Sequence, residues 1–173
     1  MRGARGRDAQ VDVARMVHWT RVEVRYSDLD VQGHVNNATF FTYFEQARVA
    51  YFADLRGNLD AARREHAPEG VAAWTSNAAT PDLPFVIASA SCAYKRPIAG
   101  LAPVYVGVRC AEVSRAAIEM HYALCDAPGG TVYATGATLT VSVDLATGRP
   151  RALPVWVTAA LARSADGAGE ADL

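Results

Sequence analysis

One segment of this chain has the hydrophobic spacing of a long helix, whereas its other strongly patterned segments have the spacing of strands. From Phe40 to Leu55 the apolar residues lie four, three, four and four positions apart, which predicts one helix with a strongly apolar side. Asn36 and Asn37 precede it as expected N-caps, and Gly57 follows it as the expected stop. Apolar and polar residues alternate over Val22–Tyr26, which predicts a first strand ahead of the helix.

Strand patterns return in the second half of the chain, where turn residues separate four apolar segments. The predicted strands are Phe85–Tyr94, Val104–Cys110, Ile118–Leu124 and Val132–Val143. Because the turns between them are short, we expect these strands to form an antiparallel meander, and Pro154–Ala162 can add a short closing helix. One long helix lying against one face of a larger sheet defines the α+β class.

Composition and charge restrict the class of protein. The chain has 173 residues, 51% of them hydrophobic, which suffices for one domain with a full core. Its net charge of -1 gives no electrostatic reason to bind nucleic acid, so no DNA or RNA partner is expected. Cys92, Cys110 and Cys125 are odd in number and far apart, which predicts reduced thiols rather than disulfides or a zinc site. No apolar run reaches 18 residues and no signal-like stretch is present, so we expect a cytoplasmic protein without a membrane segment.

Both ends of the chain lack a hydrophobic period. Residues 1–17 mix arginine and aspartate with small residues, and residues 164–173 are small and acidic. Neither segment can bury enough apolar surface to offset the entropy of ordering. We therefore expect a mobile leader over 1–17, a single domain over 18–163 and a disordered tail over 164–173.

Polar residues are concentrated between the first strand and the helix, in the run Tyr-Ser-Asp-Leu-Asp-Val-Gln-Gly-His-Val-Asn-Asn-Ala at positions 26–38. On one interpretation they only build a turn, in which Asp28 and Asp30 are turn residues and Gly33 supplies a positive φ. On the other, a carboxylate held beside a helix N-terminus faces backbone N–H groups that can polarise a carbonyl, an arrangement able to cleave an acyl bond. The residues alone leave both interpretations open.

The same run, followed by Phe-Glu-Gln-Ala-Arg at positions 44–48, resembles the 4-hydroxybenzoyl-CoA thioesterase-like branch of the hotdog-fold superfamily. Weaker matching pieces are Tyr94 with Pro97, Val143-Asp144 and Thr147-Gly148-Arg149-Pro150. The resemblance covers about residues 19–160 and implies a hotdog fold, in which a curved antiparallel sheet of about five strands wraps a long central helix. It also implies hydrolysis of acyl-CoA, with CoA as part of the substrate and no other cofactor or metal. It implies self-association as a dimer or tetramer, with sheets that join and active sites at the subunit interface.

The resemblance also implies site residues in the run. The family's catalytic carboxylate is the second Asp of the motif, here Asp30, acting as nucleophile or general base. Its oxyanion donor is a backbone N–H at the start of the helix, seven positions on, which here belongs to Asn37. Some relatives carry a His side chain at that position, where this sequence has Asn37. His34 is then the nearby imidazole. Gly33 is a substrate-side residue of the same turn. A thioester carbonyl is electrophilic enough for an unactivated carboxylate, so no Ser-His-Asp relay is required.

Charged residues elsewhere supply further candidates. Glu45 is the alternative catalytic carboxylate, because a second thioesterase branch places its carboxylate on the central helix, although its spacing to Arg48 also allows a structural pair. Arg115 matches a family position that contacts CoA phosphates, and Lys95 and Arg96 could neutralise CoA from a strand end. For these three cations, exposure to solvent without a ligand is the competing interpretation.

Three functions are compatible with these residues. The first is an acyl-CoA thioesterase, or a hydrolase of carrier-protein thioesters, with Asp30 at its centre. The second is a hotdog dehydratase or hydratase, which needs a His paired with an acid, as His34 with Asp30 would permit. The third is a non-catalytic acyl-CoA binding module. Release of free CoA separates the first from the other two.

Overall fold

The computed structural model describes residues 11–66, 85–144 and 146–166. Its five strands are β1 (His18–Val22), β2 (Phe85–Tyr94), β3 (Val104–Val113), β4 (Ala117–Cys125) and β5 (Val132–Ser142). Its α-helices are α1 (Thr39–Asp54), α2 (Arg56–His66) and α3 (Val155–Asp166), and 3-10 turns cover Val13–Arg15 and Tyr26–Asp28. The four strands predicted in the second half and the closing helix are therefore confirmed, with small changes at their ends.

The strands form one antiparallel sheet in the order β1-β3-β4-β5-β2. The predicted four-strand meander was wrong at β2, which pairs with β5 from Phe85↔Ser142 to Tyr94↔Ala134 instead of lying beside β3. The physical reason is the length of the connections. Residues 95–103 link β2 to β3 and can carry the chain across the sheet, whereas the β3–β4 link is a tight turn. Both β1 and β2 are consequently edge strands.

Helix α1 packs against one face of this sheet, as the apolar spacing predicted. The ring of Phe44 stacks on that of Tyr122 in β4, with centroids 4.8 Å apart. Close approach of the helix requires Gly136 in β5, because a Cβ there would collide with the Phe44 ring and lie 2.8 Å from the carbonyl oxygen of Ser91. Full burial of a phenylalanine side chain stabilises a fold by about 1.5–3 kcal/mol, so this contact helps to fix the position of α1.

The ends of α1 differ from the prediction. Ala38 occupies the N-cap position, and of the two asparagines it is Asn36 whose side-chain oxygen accepts a hydrogen bond from the Ala38 N–H, at 2.9 Å. Gly57 does not end the helical region, since it lies inside α2. That second helix buries Leu59 and packs beside α3, so tertiary contact outweighs the low helix propensity of one glycine.

The first strand begins earlier than the alternation predicted. β1 pairs with β3 from His18↔Val108 to Val22↔Val104, after which the chain leaves the sheet. Val24 is buried as expected, but Tyr26 is 84% exposed and belongs to a 3-10 turn rather than to a strand.

The structure describes only parts of the two predicted terminal segments. Within the predicted leader the Val17 N–H donates to the Val108 carbonyl at 3.1 Å. Residues 1–10 of that leader and 167–173 of the predicted tail lie outside the described residues, as do 67–84. In the described ranges no helix is long and apolar enough to cross a membrane.

Candidate active site

The polar run of residues 28–36 folds into a closed loop immediately before α1. The Asn36 N–H donates to the Asp28 carbonyl at 2.8 Å, which brings the two ends of the loop together. Inside it the Asp30 N–H donates to the His34 carbonyl at 2.7 Å, and the Gly33 N–H donates to the Asp30 carbonyl at 3.0 Å. Gly33 has φ +74°, the left-handed conformation that glycine adopts without steric cost, as the sequence predicted.

The carboxylate of Asp30 is held by one of its two oxygens. Oδ1 accepts hydrogen bonds from the backbone N–H groups of Gln32, at 2.8 Å, and His34, at 3.2 Å. Within the part of the chain that the structure describes, Oδ2 has no hydrogen-bond partner. The side chain is half-buried. Asp30 is therefore fixed in orientation and keeps one oxygen for another molecule, which is what a nucleophile or general base requires.

Asn37 lies two residues ahead of the first residue of α1, at the end of the helix where the macrodipole is positive. Its carbonyl oxygen accepts a hydrogen bond from the hydroxyl of Tyr94, at 2.9 Å. Its own N–H has no acceptor among residues 11–66, 85–144 and 146–166. A backbone N–H in this position can donate to an oxyanion from outside the chain.

His34 reaches Asp30 through its backbone. Its N–H and carbonyl make the two contacts already described, and residue 34 forms a β-bridge with Ala99. Its imidazole makes no hydrogen bond to any residue that the structure describes. The His–carboxylate side-chain pair that a hydratase would need is not formed between His34 and Asp30.

Asp28 fastens the loop to the buried helix. Its Oδ2 accepts from the Tyr43 hydroxyl at 2.8 Å and from the Arg25 N–H at 2.9 Å. Tyr43 is 1% exposed, and burial, reinforced by the hydrogen bond to Asp28, raises the pKa of its phenol. Asp28 was predicted as a turn residue, whereas no role was predicted for Tyr43. The available signal was a tyrosine on the apolar side of a helix, since a buried phenol needs a hydrogen-bond partner.

Tyr94 is the second residue whose role the sequence did not specify. It ends strand β2, and its ring packs edge-on against Phe40 of α1 with centroids 5.1 Å apart. Tyr94 is 46% exposed, and desolvation of its phenol together with the neighbouring Cys92 raises the pKa of that group. Its hydroxyl donates to the Asn37 carbonyl. The start of α1 is thus tied to the end of an edge strand.

Comparison with known proteins agrees with this fold. The model of the thioesterase-like superfamily matches residues 24–161. This chain belongs to that superfamily. It is similar to a thioesterase of Thermus thermophilus solved in complex with coenzyme A and Zn, with 30% identity, a TM-score of 0.64, and coverage of 87% of this chain and 96% of that one.

Two further proteins are similar to this chain. The uncharacterized protein YsmA of Bacillus subtilis (strain 168) is 28% identical over 131 residues, 76% of each chain. A DHNA-CoA thioesterase of Staphylococcus aureus is 19% identical with a TM-score of 0.64, covering 89% of this chain and 95% of that one, and shares the fold. The predicted α+β class and hotdog fold are confirmed.

The other candidate carboxylate of this thioesterase-like chain lies elsewhere. Glu45 points to solvent from α1, with its side chain 66% exposed, and its Oε1 is 3.9 Å from Nη2 of Arg48. The guanidinium of Arg48 is mostly buried and donates from Nη1 to the Tyr122 hydroxyl at 3.3 Å. Glu45 thus forms the helical pair that its spacing allowed, apart from the hydrogen bonds that build the Asp30 loop.

The three candidate CoA-binding cations are all exposed, but they lie at opposite ends of the sheet. Lys95 and Arg96 directly follow Tyr94, so they lie beside the Asn37 end of the site. Arg115 lies in the turn before β4. Tyr94 pairs with Ala134 of β5, and Ala117, just after the turn, pairs with Val141 of the same strand. These two positions of β5 are seven residues apart, which is about 24 Å at the usual strand rise. Within one chain, Arg115 is therefore not brought together with Asp30.

A hydroxyl–imidazole–carboxylate chain lies near the other edge of the sheet. Nε2 of His18 is 2.9 Å from Oγ1 of Thr20, and its Nδ1 is 3.0 Å from Oδ2 of Asp54. Asp54 is the last residue of α1, where the helix presents carbonyl oxygens and the negative end of its dipole. An oxyanion would be destabilised there, so we interpret these contacts as a structural link between β1 and the end of α1.

Proposed function

We propose that this protein hydrolyses an acyl-CoA thioester to a free acid and CoA, with Asp30 as the catalytic carboxylate and the Asn37 N–H as the oxyanion donor. The observation that carries the proposal is the asymmetry of the Asp30 carboxylate. One oxygen is anchored by two backbone N–H groups, and the other has no partner in the described part of the chain. Membership of the thioesterase-like superfamily supports the reaction class.

The chemistry follows from these two groups. Either Oδ2 of Asp30 attacks the thioester carbonyl carbon directly, or it takes a proton from a water molecule that attacks. In both routes the carbonyl oxygen gains negative charge, which the Asn37 N–H and the positive end of α1 stabilise. The carbon–sulfur bond then breaks. In the general-base route the proton taken up by Asp30 passes to the leaving sulfur, so that CoA leaves as a thiol and the acyl group as a free acid. In the nucleophilic route CoA leaves as a thiolate, and a water molecule then hydrolyses the acyl–Asp30 anhydride, its hydroxide forming the free acid and its proton restoring the thiol. Loss of one such donor costs about 3–4 kcal/mol in comparable sites, so Asn37 is a substantial part of the mechanism.

The substrate proposal extends to the CoA moiety. The Thermus thermophilus relative was solved with coenzyme A, and this chain is 30% identical to it. Lys95 and Arg96 are exposed cations beside the Asn37 end of the site, where they can pair with CoA phosphates. Gly33 presents backbone without a side chain on the substrate side of the Asp30 loop, with open space where a Cβ would be.

Self-association completes the proposed site. Strand β2 is a long edge strand whose exposed side chains include Val86 and Ile87, at 45% and 44% exposure. Such an edge is a template for pairing with another strand, and a second copy of this chain offers the same edge. A two-fold axis perpendicular to the sheet makes the two β2 strands antiparallel and keeps both α1 helices on one face.

This pairing predicts a role for Arg115 in the site of the other subunit. In an antiparallel β2 pair, the Tyr94 end of one copy lies beside the Phe85 end of the other. The Arg115 turn is at that Phe85 end, because the Ser142 N–H donates to the Ala116 carbonyl and Ser142 pairs with Phe85. Arg115 of the partner subunit then lies on the same side of the dimer as Asn37, where it can bind CoA phosphates.

The experiment is direct. Purified protein is mixed with a panel of acyl-CoA and acyl-carrier-protein thioesters, and free thiol is followed with a thiol-reactive dye. Release of CoA at a rate proportional to protein concentration is the expected result. A change in enoyl absorbance without thiol release would identify a hydratase instead, and binding of acyl-CoA without either signal would identify a non-catalytic module.

A further inference from the structure

Two tyrosine hydroxyls hold the two halves of the proposed site from opposite sides. Tyr43 donates to Asp28 at one end of the Asp30 loop, and Tyr94 donates to the carbonyl of Asn37 at the other. We propose that both are positioning residues for thioester hydrolysis, Tyr43 acting through the Asp30 loop and Tyr94 acting through the Asn37 peptide. The catalytic part of this inference rests on the proposed function. Its structural part rests only on the two hydrogen bonds.

Tyr43 acts on Asp30 through Asp28. Asp28 accepts three hydrogen bonds: its carboxylate accepts from the Tyr43 hydroxyl and the Arg25 N–H, and its carbonyl accepts from the Asn36 N–H. It therefore fixes both ends of the loop that contains Asp30, two residues further on. Tyr43 is almost fully buried in α1, so its hydroxyl is a rigid anchor.

Packing alone does not explain the Tyr43 hydroxyl. A phenylalanine would fill the same volume of the core, and its ring would bury no polar atom that needs a partner. What the hydroxyl adds is a directional bond from the helix to the loop. Its effect is therefore expected on the position of Asp30 more than on the stability of the core.

Tyr94 acts on the oxyanion side. Its hydroxyl fixes the carbonyl of Asn37, and the N–H proposed as oxyanion donor belongs to the same residue. The ring is held by its edge-on contact with Phe40, in the first turn of α1. Because oxyanion donors work only at hydrogen-bond distance, a shift of the Asn37 backbone weakens the donor without removing it.

The test uses three hydroxyl deletions in the full-length protein: Tyr43→Phe, Tyr94→Phe and, as the matched control, Tyr26→Phe. Tyr26 belongs to the turn that leads into the loop, but its exposed hydroxyl has no partner within the described residues. We expect kcat to fall about tenfold in each of the first two variants, with KM changed less than about twofold, and to stay unchanged in the control. Equal turnover in all three variants would overturn the proposal, as would a loss of activity that only follows a loss of folded protein.

A second comparison separates the role of Tyr43 from that of Tyr94. In an Asp30→Asn background the effect of Tyr43→Phe on the residual rate should shrink below about twofold, because there is no carboxylate left to position, whereas that of Tyr94→Phe should persist. An undiminished Tyr43→Phe effect in that background would contradict action through Asp30.

Hydrogen exchange gives a readout that does not depend on activity. Mass spectrometry of peptides covering residues 28–38 should show faster exchange at Gln32, His34 and Asn36 in Tyr43→Phe, and near the start of α1 in Tyr94→Phe. Unchanged exchange in both variants overturns the positioning roles even if the protein hydrolyses no thioester. Changed exchange in a protein without hydrolytic activity would leave the two anchors in place and reject only the proposed function.

Discussion

Asp30 and His34 are joined by two hydrogen bonds that both use the His34 backbone. The Asp30 N–H donates to the His34 carbonyl at 2.7 Å, and the His34 N–H donates to Oδ1 of Asp30 at 3.2 Å. The carboxylate is therefore oriented by the path of the main chain, and the imidazole is not needed to hold it. The loop that brings these two residues together turns at Gly33.

Gly33→Ala should damage this loop. The residue has φ +74°, a conformation that costs an alanine about 1–2 kcal/mol, although a Cβ there would meet no atom within 4 Å. We expect lower stability by about that amount and a clear loss of kcat, measured by urea unfolding and by CoA release.

Gly57→Ala is the matched control for that substitution. A Cβ at residue 57 also meets nothing within 4 Å, but the residue lies within helix α2. There alanine should stabilise the protein by about 0.5–1 kcal/mol and leave turnover unchanged. Equal effects of the two substitutions would show that the φ of Gly33 is not what matters.

A charge on the β2 edge should prevent self-association. Ile87→Lys places an ammonium group where the sheets of two copies are proposed to meet, and edge-strand lysines oppose such pairing. Sedimentation should change from a dimer or tetramer to a monomer of 18.5 kDa, with loss of activity. Val155→Lys, on an exposed apolar residue at the start of α3, should keep the assembly intact. A wild-type monomer that hydrolyses acyl-CoA would contradict the shared site.

Mixing two inactive variants tests whether Arg115 serves the site of the other copy. Asp30→Asn removes the carboxylate from one chain, and Arg115→Ala removes the guanidinium from another. After unfolding and joint refolding, a mixed dimer has one site with both groups intact, so activity should return to about a quarter of the wild-type value if the chains pair at random. No recovery would show that Arg115 and Asp30 act in the same chain or that Arg115 has no role.

The cysteines should be unreactive at the pH of the thiol assay. Burial raises the pKa of Cys110 and of Cys125 to about 11, and it also raises the pKa of Cys92. At pH 8 a thiol with a pKa near 11 is ionised to about one part in a thousand, against roughly a quarter for an ordinary cysteine. A thiol-reactive dye should therefore label the native protein slowly at pH 8 and faster as the pH rises. Rapid labelling of all three native thiols would contradict this burial.

Local features of the structure were predictable from sequence because their signals are local. The bounds of β2, Phe85–Tyr94, match the predicted strand, and the apolar spacing located α1 within one residue at each end. The positive φ of Gly33 followed from turn chemistry.

What the sequence could not supply depends on distant residues. The pairing of β2 with β5 joins strands that are not consecutive in the chain, which no turn signal specifies, and α2 forms despite Gly57 because α3, about a hundred residues later, covers it. The Tyr94–Asn37 hydrogen bond joins residues 57 positions apart, which no short motif encodes. Assignment of Asp30 and Asn37 as site residues stays a prediction for experiment.

The rate of CoA release by Asp30→Asn shows whether the Asp30 carboxylate is the catalytic group. The substitution keeps the shape of the side chain and an oxygen that can accept from the Gln32 and His34 N–H groups, but removes the charge of the proposed nucleophile or base. Glu45→Gln is its matched control, an equivalent neutralisation of an exposed carboxylate on α1. We expect kcat to fall about 100-fold or more in Asp30→Asn and to change little in Glu45→Gln. Normal turnover by a folded Asp30→Asn protein would contradict this expectation, and a selective loss in Glu45→Gln would move the catalytic carboxylate to the helix.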